Sequence, residues 1–97
     1  MTTGSDRKSV RARIEGRVQG VWYRGWMVTE ASQRGLDGWV RNRRDGSVEA
    51  VLSGPAAVVE EMLLTCWQGP AAARVAGVSV VAEDEDVAPG FRQRESC

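Results

Sequence analysis

Val10, Ala12 and Ile14 alternate with Arg11, Arg13 and Glu15, the period-two pattern of a half-buried strand. A glycine-bracketed stretch follows, and residues 23–34 then carry the content of a helix, with Tyr23, Met27 and Ala31 forming its apolar stripe. Trp22 and Trp26 are expected as a pair on a flanking face. Gly35, directly behind Arg34, stands where a left-handed terminator belongs. Gly25 in the first turn weakens this helix by up to about 1 kcal/mol, so tertiary packing has to compensate. Leu36 to Asn42 reads as a strand, Arg43-Arg44-Asp45-Gly46 as a hairpin turn with Asp-Gly at its tip, and Ser47 to Ser53 as the return. In that return Val48, Ala50 and Leu52 face one way, Glu49 and Val51 the other. Gly54-Pro55 opens a second helix with Pro55 at its first position, and Val59, Met62, Leu63 and Cys66 fall at i, i+3, i+4 and i+7. Gly69-Pro70 ends it. Arg74 to Ala82 is a strand, Glu83 to Asp86 a solvated turn, and Phe91 to Arg94 a candidate short final strand. The order β-α-β-β-α-β, with a fifth strand in prospect, predicts an α+β ferredoxin-like split β-α-β sandwich: an antiparallel sheet with two helices on one face.

Composition narrows what such a sandwich can do. The 97 residues form one domain, with a core over about 9–94 and residues 1–8 expected to be flexible. Apolar residues make up 42% and charged ones 27%, which rules out disorder as the general state. No apolar run reaches the length of a membrane span and no signal peptide is recognisable, so a cytoplasmic protein is expected, with a monomer as the default. Net charge is zero, yet residues 1–44 carry ten basic and four acidic side chains while 45–97 carry three and nine. That split suits an anionic ligand on the first half, or simply a dipolar surface. Lys8 is the sole lysine, which leaves no amine nucleophile in the body of the chain. There is no histidine. Ser-His-Asp and Cys-His catalysis, phosphohistidine and nearly all zinc sites are thereby excluded. Cys66 reads as a buried inert thiol and Cys97 as a frayed end. A cysteine phosphatase loop fails because Ala72 stands where its arginine would. The acidic run after Val80-Val81 lacks the lysine and the larger domain of aspartyl-phosphate enzymes.

The candidate chemistry lies in Gly16-Arg17-Val18-Gln19-Gly20-Val21-Trp22-Tyr23-Arg24. Two glycines let the backbone turn and approach a ligand, a helix start presents N–H groups, and Arg24 adds a planar fork of donors. This is an anion cradle, and a phosphate fits it. The stretch resembles the phosphate-loop signature of the acylphosphatase family, and Gly38-Trp39-Val40-Arg41-Asn42, with Gly46, Val48 and Gly54, resembles that family's second signature. The resemblance spans residues 9–82 and departs from the usual pattern at Gly25-Trp26. It implies a ferredoxin-like fold and hydrolysis of acyl phosphates to a carboxylate and inorganic phosphate without metal or cofactor. It also implies that Arg24 binds phosphate and that Asn42 positions the attacking water. A carboxylate leaving group, whose conjugate acid has a pKa of about 4, departs unprotonated, so a chain without histidine suffices. Asn42 cannot take a proton, which leaves the substrate's own phosphate oxygen as the base.

Other readings compete. Arg24 can pair with a surface carboxylate, and Asn42 can close a strand before the turn. Tyr23 and Trp39 are expected in the core, Gln19 as a loop brace and Arg17 in solvent. A non-catalytic RNA-binding or regulatory module would use sheet aromatics with Arg11, Arg13, Arg41, Arg43 and Arg44 as a basic rim, but Val75 to Val81 has no aromatic, so nucleic acid is not an expected partner. The chain's length favours a free-standing protein over a unit of a larger carbamoyl-transfer enzyme.

Overall fold

The computed structural model describes residues 6–97. Its elements are β1 (Arg7–Arg17), α1 (Tyr23–Gln33), β2 (Asp37–Asn42), β3 (Val48–Pro55), α2 (Ala56–Cys66), β4 (Arg74–Ala82) and β5 (Phe91–Gln93). They form one five-stranded sheet in the order β4-β1-β3-β2-β5. The ferredoxin-like arrangement holds, with one correction. β5 runs parallel to β2, so the sheet is mixed rather than antiparallel throughout.

The alternation in β1 and β3 sorts the sheet's two faces. Val10, Ala12 and Ile14 share one face with Val40, Val48, Ala50 and Leu52, all at most 3% exposed, under Tyr23, Met27 and Ala31 of α1 and Val59, Met62 and Cys66 of α2. Both helices cover that face. Tyr23 ties them together by donating its hydroxyl proton to the Cys66 carbonyl at 2.6 Å. Burial pushes the Cys66 thiol up to about 12, which makes it inert at neutral pH. β3 is central: Val48 pairs with Ile14 on one side and Asn42 on the other. At the far end of β1, the register with β4 shifts between Glu15 and Gly16. Gly16 has φ +122°, and a Cβ there would lie 2.2 Å from the Arg74 carbonyl oxygen. Only glycine makes this bulge, and the bulge turns the chain out of the sheet.

Several expected boundaries and contacts differ. Residues 1–5 of the expected flexible start lie outside the described residues, whereas Arg7 and Lys8 belong to β1. Pro55 has ψ 135° and precedes the helix instead of opening it. Trp26 packs on Tyr23, with ring centroids 5.1 Å apart, and not on Trp22. Glu83 is drawn out of its turn by Arg11, at 2.8 Å. Cys97 is not frayed: its N–H donates to the Asn42 carbonyl at 3.0 Å and its carbonyl accepts from Arg44 N–H at 2.7 Å.

Trp39 is buried, at 4%, but on the face away from the helices. The guanidinium carbons of Arg94, Arg41 and Arg11 lie 4.6, 4.8 and 5.5 Å from its ring centroid, a cation–π roof. Glu49, 6% exposed, holds this roof together, accepting from Arg11 and Arg41 at 2.7 Å each. The sheet's indole is therefore covered and unavailable for base stacking. Burial alone would raise the Glu49 carboxyl, but the hydrogen bonds from Arg11 and Arg41 outweigh it and hold the carboxyl below its ordinary 4.5. A carboxyl held low contributes stability that is present at neutral pH and lost as pH falls through the folded value. Chemical denaturation at pH 7 and pH 3 should show a larger loss of stability for wild type than for Glu49→Gln, and equal losses would remove Glu49 as the source.

Candidate active site

The bulge at Gly16 delivers the chain into a loop that doubles back on the start of α1. Gln19 braces that loop: its side-chain amide donates to the carbonyls of Arg43 and Ser47, both at 2.8 Å. These two carbonyls belong to the β2–β3 turn, which Asp45 stiffens by accepting from the N–H and hydroxyl of Ser47 at 2.9 and 2.6 Å. Loop and turn are thus one unit. Gly20 at φ +76° and Trp22 at φ 69° complete the reversal, and α1 begins at Tyr23.

The first turn of α1 has no side-chain cap, and Trp26 N–H to Trp22 O, at 3.0 Å, closes it. The N–H groups of Tyr23, Arg24 and Gly25 precede that bond and have no intrahelical partner. Those three residues line a cavity of about 140 Å³ together with Val18, Gly20, Trp22, Asn42 and Gln93. Drug-sized ligands need roughly 300 Å³ or more; this space suits a single small group. Among the described residues, no acidic side chain lines it. Among the described residues, ion pairs engage Lys8, Arg11, Arg13, Arg34, Arg41 and Arg43, and Arg24 takes part in none. The surface-pairing alternative for Arg24 therefore has no partner here. The positive end of the helix dipole, orphan N–H groups and Arg24 all lie at the cavity, an arrangement chemically suited to receive an anion.

Asn42 enters from the sheet side. It is the last residue of β2, in register with Val48, so it shares the helix-covered face with Val40 and reaches the start of α1. Its Oδ1 is buried with no hydrogen-bond partner, an unsatisfied acceptor of the kind that a functional role explains. It is a strand residue rather than part of the turn.

The structure divides the sequence-predicted loop. Val18, Gly20, Trp22, Tyr23, Arg24 and Asn42 meet at the cavity. Gly16 and Arg17 end β1 and are exposed, Gln19 turns to the hairpin, and Val21 packs against the core. The Tyr23 hydroxyl is committed to the Cys66 carbonyl of α2, so it is not free to serve the cavity. Gln93 was missed: Val40↔Gln93 pairing across a parallel β5 brings it to the mouth, and no spacing in the sequence reveals that pairing.

The family model for acylphosphatase matches residues 10–93. The chain belongs to the acylphosphatase family. An acylphosphatase of Rhizorhabdus wittichii is 53% identical over 89 residues, covering 92% of this chain and 90% of that one. One of Rhodospirillum rubrum is also 53% identical, over 92% of this chain and 98% of its own length. The structure of an acylphosphatase from Coxiella burnetii superposes with a TM-score of 0.82 at 32% identity, covering 97% of this chain and all of that one. For this acylphosphatase-family chain, the Gln19 brace gives a direct test. Gln19→Ala removes two hydrogen bonds worth about 1 kcal/mol each. Amide hydrogen exchange in residues 19–22 should speed up, and inhibition by inorganic phosphate should weaken several-fold. Unchanged exchange would show that the loop holds itself.

Proposed function

We propose that this cavity hydrolyses acyl phosphates by direct in-line attack of water, with Arg24 and the N–H groups of the loop and α1 holding the phosphoryl group and Asn42 placing the water. One observation carries the assignment. An anion cradle with an uncommitted arginine and a buried amide oxygen without a partner line the same small cavity. Phosphoryl transfer depends mainly on positioning and on stabilising charge spread over the equatorial oxygens, and the cradle offers donors for those oxygens. Asn42 Oδ1 accepts a proton of the water in hydrogen bonding and so turns an oxygen lone pair toward phosphorus. The proton itself passes to a phosphate oxygen of the substrate, because an amide cannot hold it. The carboxylate leaves without protonation, so the reaction asks for neither general acid nor metal. Its products are a carboxylate and inorganic phosphate, and the latter competes for the cradle.

We further propose that the protein works as a monomer in the cytoplasm, with no nucleic-acid partner. No helix among the described residues is long and apolar enough to cross a membrane.

Benzoyl phosphate should be consumed without added metal while a plain phosphate monoester is not. Arg24→Ala should abolish most of the activity, a loss of about 10³-fold or more being the scale for removing an arginine that stabilises a phosphoryl-transfer transition state, and should weaken inhibition by phosphate in parallel. Asn42→Ala should lower kcat by about 10²-fold or more and leave phosphate inhibition near wild type. Loss of phosphate binding in Asn42→Ala would place that residue in the cradle and overturn its role with water.

A further inference from the structure

Trp22 is held in an unusual way at the mouth of this cavity. Among the described residues it is the only non-glycine with positive φ, at 69°, and a bulky residue there is an outlier that the surroundings must enforce. Its side chain neither caps α1 nor packs into the core: it is 66% exposed. Yet its place is defined. An ideal Cβ on Gly25 would fall 2.2 Å from Trp22 Nε1, 2.7 Å from Cε2 and 2.8 Å from Cδ1. The pyrrole edge of the indole therefore sits in a notch that exists because residue 25 has no side chain. The two positions are a matched pair, a ring and its seat, and together they present a flat apolar surface beside the cradle.

The cavity itself has room for little beyond the phosphoryl group, so the acyl portion of a substrate must project from the mouth. Asn42 and Gln93 form the sheet side of that mouth, and Trp22 stands on the side of the loop and α1. In-line displacement requires the leaving carboxylate to depart opposite the attacking water. With the water on Asn42, the acyl group faces away from the sheet, toward the indole.

We propose that the Trp22 indole, seated on Gly25, is the acyl-group platform of the enzyme, and that it selects acyl phosphates with flat or extended apolar acyl groups over acetyl phosphate. The inference rests on the acyl-phosphate reading of the cavity. An aromatic acyl group stacks on the indole, whereas a methyl group covers little of it.

The test compares kcat/KM for benzoyl phosphate and acetyl phosphate, with inorganic phosphate inhibition as the measure of the cradle. Trp22→Ala should cut the benzoyl-to-acetyl ratio five- to tenfold, a change on the order expected for one aromatic pair, mainly through KM for benzoyl phosphate. Trp22→Phe should keep most of the preference. Gly25→Ala keeps the indole but fills its seat, and should lower the ratio as well, which separates a placed ring from a merely present one. An unchanged ratio in Trp22→Ala, or equal losses on both substrates together with weaker phosphate inhibition, would reduce Trp22 to a loop-shaping residue. Should wild type hydrolyse neither substrate, the reading of the cavity falls; should it hydrolyse both with a ratio no variant moves, only the platform falls.

Discussion

Everything at the candidate site depends on the register of β3. Val48 is fully buried and pairs at once with Ile14 of β1 and Asn42 of β2, which puts the three in one row on the helix-covered face. Strands lie about 4.8 Å apart, so Asn42 stands about 10 Å across the sheet from Ile14. Two residues beyond Ile14, the bulge at Gly16 turns the chain out toward the cradle. The loop after β1 and Asn42 at the end of β2 are carried by strands that do not pair with each other. β3 alone relates them. A slip of one residue in β2 would flip Asn42 to the opposite face, among the arginines above Trp39, and leave the cradle without its second half.

Electrostatics repeat this division between the two faces. The excess of basic residues in the first half and acidic ones in the second is resolved by pairing across the fold: Arg11 with Glu49 and Glu83, Arg13 with Asp45, Lys8 with Glu60, Arg34 with Glu61. Much of the segregation along the sequence is thus a complementarity between segments that the sheet and helices bring together. Most of these pairs are exposed and individually weak. Their consequence for function is negative in form: carboxylates are committed to the open face and to the outer sides of the helices, and none enters the cavity where Arg24 stands.

Much of this was legible in the sequence because two periods do most of the work. Alternation in residues 10–15 and 48–52, and the stripes Tyr23-Met27-Ala31 and Val59-Met62-Leu63-Cys66, name apolar residues that are all at most 3% exposed except Leu63, which is half-buried against the core. The glycine-bracketed loop and Asn42 at the end of a strand, singled out in the sequence, line one cavity. What the sequence hid depends on long-range pairing. β5 has three residues with a single buried side chain, Phe91, too little for period to declare its direction, and Gln93 was hidden with it. Trp39 obeys burial but not the expected layer, since a ring roofed by guanidinium groups is as dry as one in the core. Gly25 looked like a weak point of α1. It is the seat of Trp22, a reason no helix propensity contains.

The same geometry explains why the site does so little chemistry of its own. Tyr23 is the lining residue with a hydroxyl, and that hydroxyl is spent on the Cys66 carbonyl, with burial raising its pKa further. No group at the cavity can hand a proton to a departing oxygen. Selectivity then follows from the leaving group's own acidity. A phenol, with a pKa near 10, leaves about six units less readily than a carboxylate near 4. At 1.36 kcal/mol per unit, that is about 8 kcal/mol in full, of which the transition state feels the part that matches charge already developed on the leaving oxygen. On the proposed reading, an arginine and a ring of N–H groups stabilise the phosphoryl oxygens equally for both substrates, so they cannot close that gap, and the missing acid rather than an added recognition element sets the preference of this site for acyl phosphates over monoesters.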